Sequence, residues 1–366
     1  MKKRRQIGVI AVFVCILAGF ALGHIFLPDK ELSKEERRRL APHPELTAEA
    51  VLSETYMTDL EGYLMDQFPL REQLRTAKAV IAMDILRQKD NHQIYTYDGG
   101  LFKWENKLKP KEIAYFADKV NDICRRYLKE NRVYYSIIPD KNYFTAGKNG
   151  YPSLDYQQLY SMAKGKVTEA QYIDITKDLQ LSDYYRTDAH WKQTNLQKVV
   201  KTLGREMKFD HRLPSWKDYK MKSLSPFYGV YLGQSALPEK PDTLQYLTNA
   251  ATENAVVASA EVSGTLPVYT VDKFEGMDGY DVFLNGAQAV VTMENREADS
   301  DKELLLFRDS FGSSLAPLLI DGYKKITLID LRYIATDYVP NFVDIEDQDV
   351  LFIYSASLVN GAMVLK

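Results

Sequence analysis

A long apolar run occupies residues 7–27, directly after four basic residues at positions 2–5. A helix needs roughly 20 apolar residues to cross a bilayer, so this run is long enough to span one. A buried core helix is the weaker interpretation, because the run is apolar on every face and begins the chain. The basic residues predict that the amino-terminal end stays in the cytoplasm and that the rest of the chain faces outward.

A cleaved signal peptide is the alternative to an uncleaved anchor, since Ala21-Leu22-Gly23 resembles a small-residue cleavage site. Cleavage would make the chain a secreted protein. The charged, proline-containing segment that follows the run is typical of a linker, and helical periodicity continues to about residue 88. The predicted organisation is therefore a basic cytoplasmic tail (1–6), a transmembrane anchor (7–27), a linker with a helical lead-in (28–90) and a main domain (91–366) with an insertion at about 210–295.

Charge and cysteine content exclude two classes of protein. The 47 basic and 50 acidic residues nearly cancel, whereas a nucleic-acid-binding surface needs clustered positive charge. Of the two cysteines, Cys15 lies in the apolar run and Cys124 in a helical pattern, so no disulfide framework is expected. Cys124 is interpreted as a core residue and not as a catalytic thiol, because reactive thiols lie in exposed, electropositive surroundings.

From about residue 93 the pattern alternates between short β-rich runs and helical segments. Such alternation predicts an α/β domain with a parallel sheet covered by helices on both faces. The predicted strands include VYYSIIPD, QYIDIT (171–176), LLLFRD (304–309), KITLIDL (325–331) and VLFIYS (350–355), and a helix is predicted from just after RTDAHW to about residue 207.

Polar residues follow the predicted strands, at the edge of the sheet where ligands gather in α/β proteins. They are Asp140 with Lys141, Arg308 to Gly312, Asp330 to Tyr333, and Ser355 to Asn360. Ser310 lies on the turn between a buried strand and a helix, which exposes its hydroxyl near the positive end of the helix. The structural alternative is that Asp309 or Ser310 serves only as the helix N-cap.

A nucleophilic serine needs an imidazole base and an acid that orients it, whatever their order in the chain. Asp188 and His190 in RTDAHW supply both, because residues two apart in an extended segment point to the same side. Two alternatives remain open at this stage: Asp188 as the N-cap of the following helix, and an Asp-x-His metal pair. The metal interpretation lacks further histidines and carboxylates in ligand-like clusters, so no metal and no cofactor are expected.

The segments YYRTDAHW, FRDSF and ITLIDLRY together resemble the DHHW family, a branch of SGNH/GDSL-type hydrolases related to alginate O-acetyltransferases of bacterial envelopes. The resemblance extends to SKEERRRLAPHPELT, DQFPLRE, DGGLFKWENKL, IIPDKNYF and YDVFLNGAQAVVTMEN, and so covers nearly the whole chain after the anchor. It implies a three-layer α/β/α, SGNH-hydrolase-like catalytic domain over residues 91–366, preceded by the transmembrane helix.

The resemblance implies Ser310 as nucleophile, His190 as base and Asp188 as its partner. Ala189 stands where the family name has its first histidine, and Arg308 replaces the glycine of a GDS motif. The default oxyanion donor is the Ser310 backbone N–H. Further candidates for binding substrate or an oxyanion are Arg308, Asp309, Lys141, Arg332 and Asn360, of which Lys141 and Arg308 are suited to an anionic sugar group.

The resulting hypothesis is an outward-facing, membrane-anchored enzyme that transfers or hydrolyses O-acetyl groups on an envelope or exported polysaccharide. The alternative is a catalytically inactive carbohydrate-binding or scaffold protein with the same fold, for which the 25 tyrosines offer stacking surfaces. The related systems imply a multi-pass membrane partner that exports the acetyl group, since one helix cannot carry it across a bilayer. A binding protein has no need to bring Ser310 within hydrogen-bonding reach of His190.

Overall fold

The structure is a computed structural model that describes residues 2–366. Met1, the first residue of the tail predicted over 1–6, lies outside the described residues. The described chain forms two compact units, one of Met1–His92 with Leu232–Glu239 and one of Gln93–Tyr231 with Lys240–Lys366.

The first unit begins with a single long helix, α1 (Lys2–Phe26). Its stretch Arg4–Phe26 is long and apolar enough to cross a membrane, as either an anchor or a signal sequence. The basic residues predicted as a separate tail are the first turns of this helix. The elements that follow are β1 (Leu32–Ser33), β2 (Arg38–Arg39), α2 (Ala48–Leu52), α3 (Thr55–Asp66) and α4 (Arg71–Val80), with a π-helical turn over Ile81–Ile85.

The second unit contains the remaining strands and helices. Its strands are β3 (Ile94–Tyr97), β4 (Gly100–Lys103), β5 (Arg132–Ile138), β6 (Gln171–Tyr172), β7 (Lys220–Phe227), β8 (Asp242–Thr248), β9 (Val256–Ser259), β10 (Thr265–Leu266), β11 (Val290–Glu294), β12 (Glu303–Arg308), β13 (Lys325–Ile329) and β14 (Asp349–Ser355). Its helices are α5 (Pro110–Tyr127), α6 (Lys141–Thr145), α7 (Tyr156–Lys166), α8 (Gln197–Met207), α9 (Val230–Ser235, which ends in the first unit), α10 (Ala250–Asn254), α11 (Ser310–Leu315) and α12 (Ala356–Val359).

Within the described residues, the central sheet has eight strands in the order β10-β9-β11-β13-β12-β14-β5-β6. Neighbours from β13 to β6 are parallel, whereas β11, β9 and β10 pair antiparallel. The predicted α/β class is confirmed, but the sheet is mixed and not wholly parallel. The antiparallel strands β9, β10 and β11 all lie within residues 210–295, so this region extends the sheet as well as forming the β7–β8 hairpin.

Helices cover both faces of the sheet because its central strands are buried on both sides. In β12, Leu304 and Leu306 point into one apolar cluster, which also holds Leu203 of α8. The alternate residues Leu305 and Phe307 point into a second cluster, which contains residues of α5 and α7. A strand with two buried faces reads as a continuous apolar run, which is why ELLLFR was recognisable in the sequence.

Candidate active site

Ser310 is the first residue of α11 and follows the end of β12 after a single residue, Asp309. Asp309 is the N-cap: its Oδ1 accepts the Phe311 N–H at 3.1 Å, and its Oδ2 accepts the Ser355 N–H at 2.8 Å. The capping interpretation is therefore right for Asp309, whose carboxylate is buried and already satisfied. This assignment leaves the Ser310 hydroxyl free of any capping role, at a strand-to-helix turn.

Asp188 and His190 lie on a tight loop and not at a helix start. Tyr184 and Trp191 form an antiparallel bridge, and the Tyr185 N–H donates to the His190 carbonyl at 3.1 Å, so the chain reverses direction between them. The next helix, α8, begins only at Gln197. The alternative of Asp188 as a helix N-cap is therefore wrong.

The loop brings the three predicted residues into one hydrogen-bonded chain. His190 Nε2 lies 2.7 Å from Ser310 Oγ, and His190 Nδ1 lies 2.6 Å from Asp188 Oδ1. Because a carboxylate only accepts, Nδ1 carries the ring proton and Nε2 is left to accept from the serine hydroxyl. This is the arrangement in which a serine can be deprotonated as it attacks an electrophile.

Backbone amides complete the surroundings of the Asp188 carboxylate. Oδ1 also accepts the His190 N–H at 2.9 Å, and Oδ2 accepts the Val230 N–H at 2.7 Å. Asp188 is fully buried, so these donors replace the water that an ionised carboxylate requires. Both oxygens face N–H groups, which disfavours the Asp-x-His pair as a metal site; among residues 2–366 no group of three or more potential ligands clusters for a metal.

Aromatic rings fix the orientation of the His190 imidazole. Tyr280 stacks on it with ring centroids 3.9 Å apart and an angle of 12° between the planes, and Phe311 contacts it at 4.8 Å. The Tyr280 hydroxyl donates to Ser314 Oγ at 2.8 Å, as does Trp191 Nε1 at 2.9 Å. Burial raises the pKa of Tyr280 well above its ordinary value, so the phenol stays neutral beside the imidazole.

Lys141 holds the loop in place and does not face a substrate. Its buried ammonium lies within hydrogen-bonding distance of four carbonyls, those of Leu101 at 2.5 Å, Tyr185 at 2.9 Å, Arg186 at 2.9 Å and Asp188 at 3.3 Å. Burial lowers the pKa of Lys141 to about 7, and the nearby Asp188 carboxylate opposes that shift. The prediction that Lys141 binds an anionic sugar is therefore corrected, because its donors are committed to the backbone.

Asp242 is a second anchor for the same loop. Its Oδ2 accepts the Thr187 N–H at 2.7 Å and the Thr187 hydroxyl at 2.6 Å, while its Oδ1 accepts the Arg186 N–H at 3.1 Å. Neither Asp242 nor Tyr280 was predicted from the sequence. Tyr280 is the first residue of YDVFLNG, a segment that carries part of the family resemblance, and this resemblance could have drawn attention to it. Nothing in the local sequence pattern distinguishes Asp242.

Arg308, the residue in place of the motif glycine, points into the protein interior. It is 1% exposed and its Nη1 donates to Asp330 Oδ2 at 3.2 Å. Burial lowers the pKa of Arg308, and the Asp330 carboxylate opposes that shift. The predicted contact of Arg308 with an anionic sugar is corrected, since a fully buried guanidinium cannot reach a polysaccharide.

The two remaining candidates differ in accessibility. Arg332 forks onto Asp330 through Nε at 2.9 Å and Nη2 at 2.6 Å, and a quarter of its side chain is exposed. Asn360 is fully buried; its Oδ1 accepts the Lys109 N–H at 2.8 Å and its Nδ2 donates to the Lys107 carbonyl at 2.9 Å. Asn360 therefore links the end of α12 to the segment 107–109 and is not available to a substrate, whereas Arg332 is partly exposed.

The chain is similar to proteins of one known family. A family model described as DHHW protein matches residues 117–329, more than half of the chain. A DHHW family protein from Eubacterium siraeum DSM 15702 superimposes with a TM-score of 0.61 at 18% identity, over 74% of this chain and 92% of that one. No curated protein matches the sequence significantly.

Two further solved structures align with the chain. Bacillus cereus PatB1, solved with a sulfonyl adduct, aligns with a TM-score of 0.59 at 20% identity, over 74% of this chain and 98% of that one. The O-acetyltransferase domain of Pseudomonas putida AlgJ aligns with a TM-score of 0.43 at 14% identity, over 73% and 92%. At these identities the PatB1 and Eubacterium superpositions establish a shared fold.

Proposed function

Since the chain belongs to the DHHW protein family, we propose that it is an SGNH-like acyl-serine enzyme that transfers or hydrolyses O-acetyl groups. The proposed substrate is a carbohydrate of the cell envelope or an exported polysaccharide. The observation that supports this proposal most is the hydrogen-bonded chain from Ser310 through His190 to Asp188, at 2.7 and 2.6 Å. An inactive binding protein has no use for such a chain.

In the first step, Ser310 Oγ attacks the acyl carbonyl carbon and its proton passes to His190 Nε2. The imidazolium that forms is stabilised by the Asp188 carboxylate at Nδ1. As the tetrahedral intermediate collapses, His190 returns the proton to the departing oxygen, which leaves as an alcohol. The enzyme then carries the acyl group as an ester on Ser310.

In the second step, an acceptor hydroxyl gives its proton to His190 Nε2 and attacks the serine ester. The bond between the acyl carbon and Ser310 Oγ then breaks, and His190 returns the proton to Oγ, which restores the free serine. A sugar hydroxyl as acceptor yields the O-acetylated carbohydrate, and water yields acetate. Both outcomes use the same three residues, so the choice between transferase and esterase depends on which acceptor reaches the site.

The Ser310 N–H is the proposed oxyanion donor at the start of α11. The next two amides are committed: Phe311 N–H donates to the Asp309 carboxylate at 3.1 Å and Gly312 N–H to the Asp309 carbonyl at 3.0 Å. Arg332 is the proposed second donor, because its fork on Asp330 uses Nε and Nη2 and leaves the Nη1 hydrogens. Two donors of this kind can stabilise the negative oxygen that develops on the acyl group.

Reactivity toward sulfonyl reagents is a further expectation. The similar protein PatB1 has been solved with a sulfonyl adduct. A serine activated by an imidazole attacks a sulfonyl fluoride with loss of fluoride, so we propose that Ser310 forms the corresponding sulfonate ester.

The proposed location follows from α1. With this helix retained as an anchor and its basic end in the cytoplasm, the α/β unit acts on the outer side of the membrane. The acetyl group must then cross the bilayer by another route. We propose that a multi-pass membrane protein supplies it, and that no cofactor or nucleic acid takes part.

Turnover of 4-nitrophenyl acetate by the full chain in detergent tests the proposal. Ser310→Ala should lower the turnover at least about 10³-fold, because the nucleophile is lost. Ser357→Ala is the matched control, since that hydroxyl donates to Glu105 at 2.9 Å and lies outside the site. Equal turnover in the wild type and in Ser310→Ala would favour the carbohydrate-binding alternative.

A further inference from the structure

We infer that the helix pair α3–α4 inserts its connecting turn into the outer leaflet of the membrane and so forms a second contact with lipid beside α1. The α3–α4 turn comprises Gln67–Leu70. The inference rests on the proposed retention of α1 as an anchor, and it concerns residues that take no part in the chemistry of Ser310.

The first observation is the position at which α1 contacts this turn. The ring of Phe20 stacks on Phe68 with centroids 5.0 Å apart, and the position of Gly23 lies against Pro69. Phe20 lies six residues before the end of α1, which corresponds to a depth of about 9 Å along the helix axis. If α1 crosses the bilayer up to Phe26, then Phe68 and Pro69 lie beneath the membrane surface with it.

The second observation is the apolar surface on the same helices. Leu70 in the turn is 60% exposed, Met65 is 59% exposed and Leu64 is 44% exposed. Leu64 and Met65 line an open groove of about 780 Å³ between α3 and α4, together with Leu60 and Leu74. An exposed apolar patch of this kind on a helix pair marks an interaction surface.

The third observation is the distribution of charge around the groove. Arg71, Arg75 and Lys78 of α4 line it together with one acidic residue, Glu61. Arg71 and Arg75 also pair with Glu36, so Lys78 is the cation of this set best suited to a headgroup. Basic side chains beside an apolar floor suit the boundary between acyl chains and anionic headgroups, where long cationic side chains reach back to the phosphates. The occupant that fits both the depth of the turn and this charge is therefore the bilayer.

Polar groups mark where the membrane surface would lie. The Tyr63 hydroxyl donates to Asp29 at 3.0 Å just beyond the end of α1, and His24 packs edge-on against the same ring. Tyrosine with one apolar and one polar end is typical of the membrane–water interface. Gln67, at the start of the turn, bonds to the Lys30 backbone at this boundary, and Phe68 and Pro69 lie against α1 on its membrane side.

Depth-dependent quenching tests the inference in the full chain. Leu70→Cys and, separately, Leu64→Cys are labelled with an NBD fluorophore in a Cys15→Ala background, where Cys124 is buried and unreactive. The protein is placed in phosphatidylcholine–phosphatidylglycerol vesicles with or without bromine on the acyl chains. Lys129→Cys is the control, because that exposed side chain belongs to the α/β unit, which is proposed to lie outside the membrane.

Brominated lipid should reduce the fluorescence of the Leu70 and Leu64 labels at least about twofold, while aqueous iodide leaves them unchanged. The Lys129 label should show the opposite response. Quenching of the Leu70 and Leu64 labels by iodide, with none by bromine, would overturn the inference and leave the groove to a protein partner. A chain that fails to remain with the vesicles would overturn the anchor as well, yet its ester turnover in detergent would still report on Ser310.

Discussion

Gly229 is the residue that allows a second loop to approach the Asp188 segment. A side chain at this position would place its first carbon 2.2 Å from the Thr187 carbonyl oxygen and 2.6 Å from the Asp188 nitrogen. The adjacent Val230 N–H donates to Asp188 Oδ2, so this close approach is what delivers one of the carboxylate's hydrogen bonds. Glycine is required here by contact, not by a positive φ.

Gly229→Ala should therefore destabilise the fold by about 1–3 kcal/mol and lower ester turnover, because the two segments must separate. Gly165→Ala is the matched control, as no atom lies within 4 Å of the added carbon at that helical position. Urea unfolding and 4-nitrophenyl acetate turnover measure the two effects. An unchanged free energy of unfolding and unchanged turnover in Gly229→Ala would show that the hydrogen bond from Val230 to Asp188 does not require this close approach.

Asp140 is a second residue whose surroundings make a measurable prediction. It caps α6, accepts the Asn142 N–H at 2.8 Å and the Tyr156 hydroxyl at 2.5 Å, and its other oxygen is buried without a partner. Burial raises the pKa of Asp140 to about 6, although the bond from Tyr156 opposes that shift. The folded chain thus holds a proton that the unfolded chain releases near pH 4.

Stability from Asp140 should be fully present below about pH 4 and lost as the pH rises to about 6, since the unfolded state binds fewer protons in that window. Asp140→Asn keeps the cap and removes the titration. The free energy of unfolding of the wild type, relative to Asp140→Asn, should fall by about 1–3 kcal/mol between pH 4 and 6. Parallel pH profiles for the two proteins would contradict this assignment.

The loop from Tyr184 to Trp191 carries both partners of the serine, and the fold holds it at several points. Lys141 binds its carbonyls, and Asp242 binds its amides at Arg186 and Thr187. The loop has little regular secondary structure, so these contacts set the distance between His190 and Ser310. Lys141 is accordingly a positioning residue.

Lys141→Met keeps most of the side-chain volume but removes the ammonium from four carbonyls, at a cost of about 1–3 kcal/mol for each carbonyl that is left unsatisfied. We expect kcat for ester turnover to fall at least about tenfold with little change in KM, since His190 moves relative to Ser310. Lys148→Met, which removes an exposed ammonium from the neighbouring segment, should leave both constants unchanged. Equal kcat in the two variants would mean that the loop holds its shape without Lys141.

At the scale of the elements, the strands that are buried on both faces were predictable and the irregular ones were not. LLLFRD and VLFIYS became β12 and β14 nearly as predicted, because a run of apolar residues leaves little other choice. QYIDIT forms a strand only over Gln171–Tyr172, at the edge of the sheet, where pairing on one side is lost. The helix predicted just after RTDAHW starts six residues later, since Trp191 still pairs with Tyr184.

Across the whole molecule, the grouping of Ser310, His190 and Asp188 could be predicted from the sequence, because each of their proposed roles requires a particular residue type. The surroundings could not be predicted, since Tyr280, Asp242 and Gly229 come from residues 210–295, far from the motifs in the chain. Lys141 and Arg308 were misassigned for a related reason. A basic residue directly after a strand suggests an exposed site for an anion. Both side chains are instead buried, and their burial depends on packing against residues that are distant in the sequence.

The most direct test of the central proposal is the intact mass of the full chain in detergent after brief exposure to 4-nitrophenyl acetate. We predict one acetyl group per chain, located by peptide mapping on Ser310, absent in Ser310→Ala and formed much more slowly in His190→Ala. Absence of an adduct in the wild type together with absence of ester turnover, or an adduct that persists in Ser310→Ala, would contradict the acyl-serine mechanism.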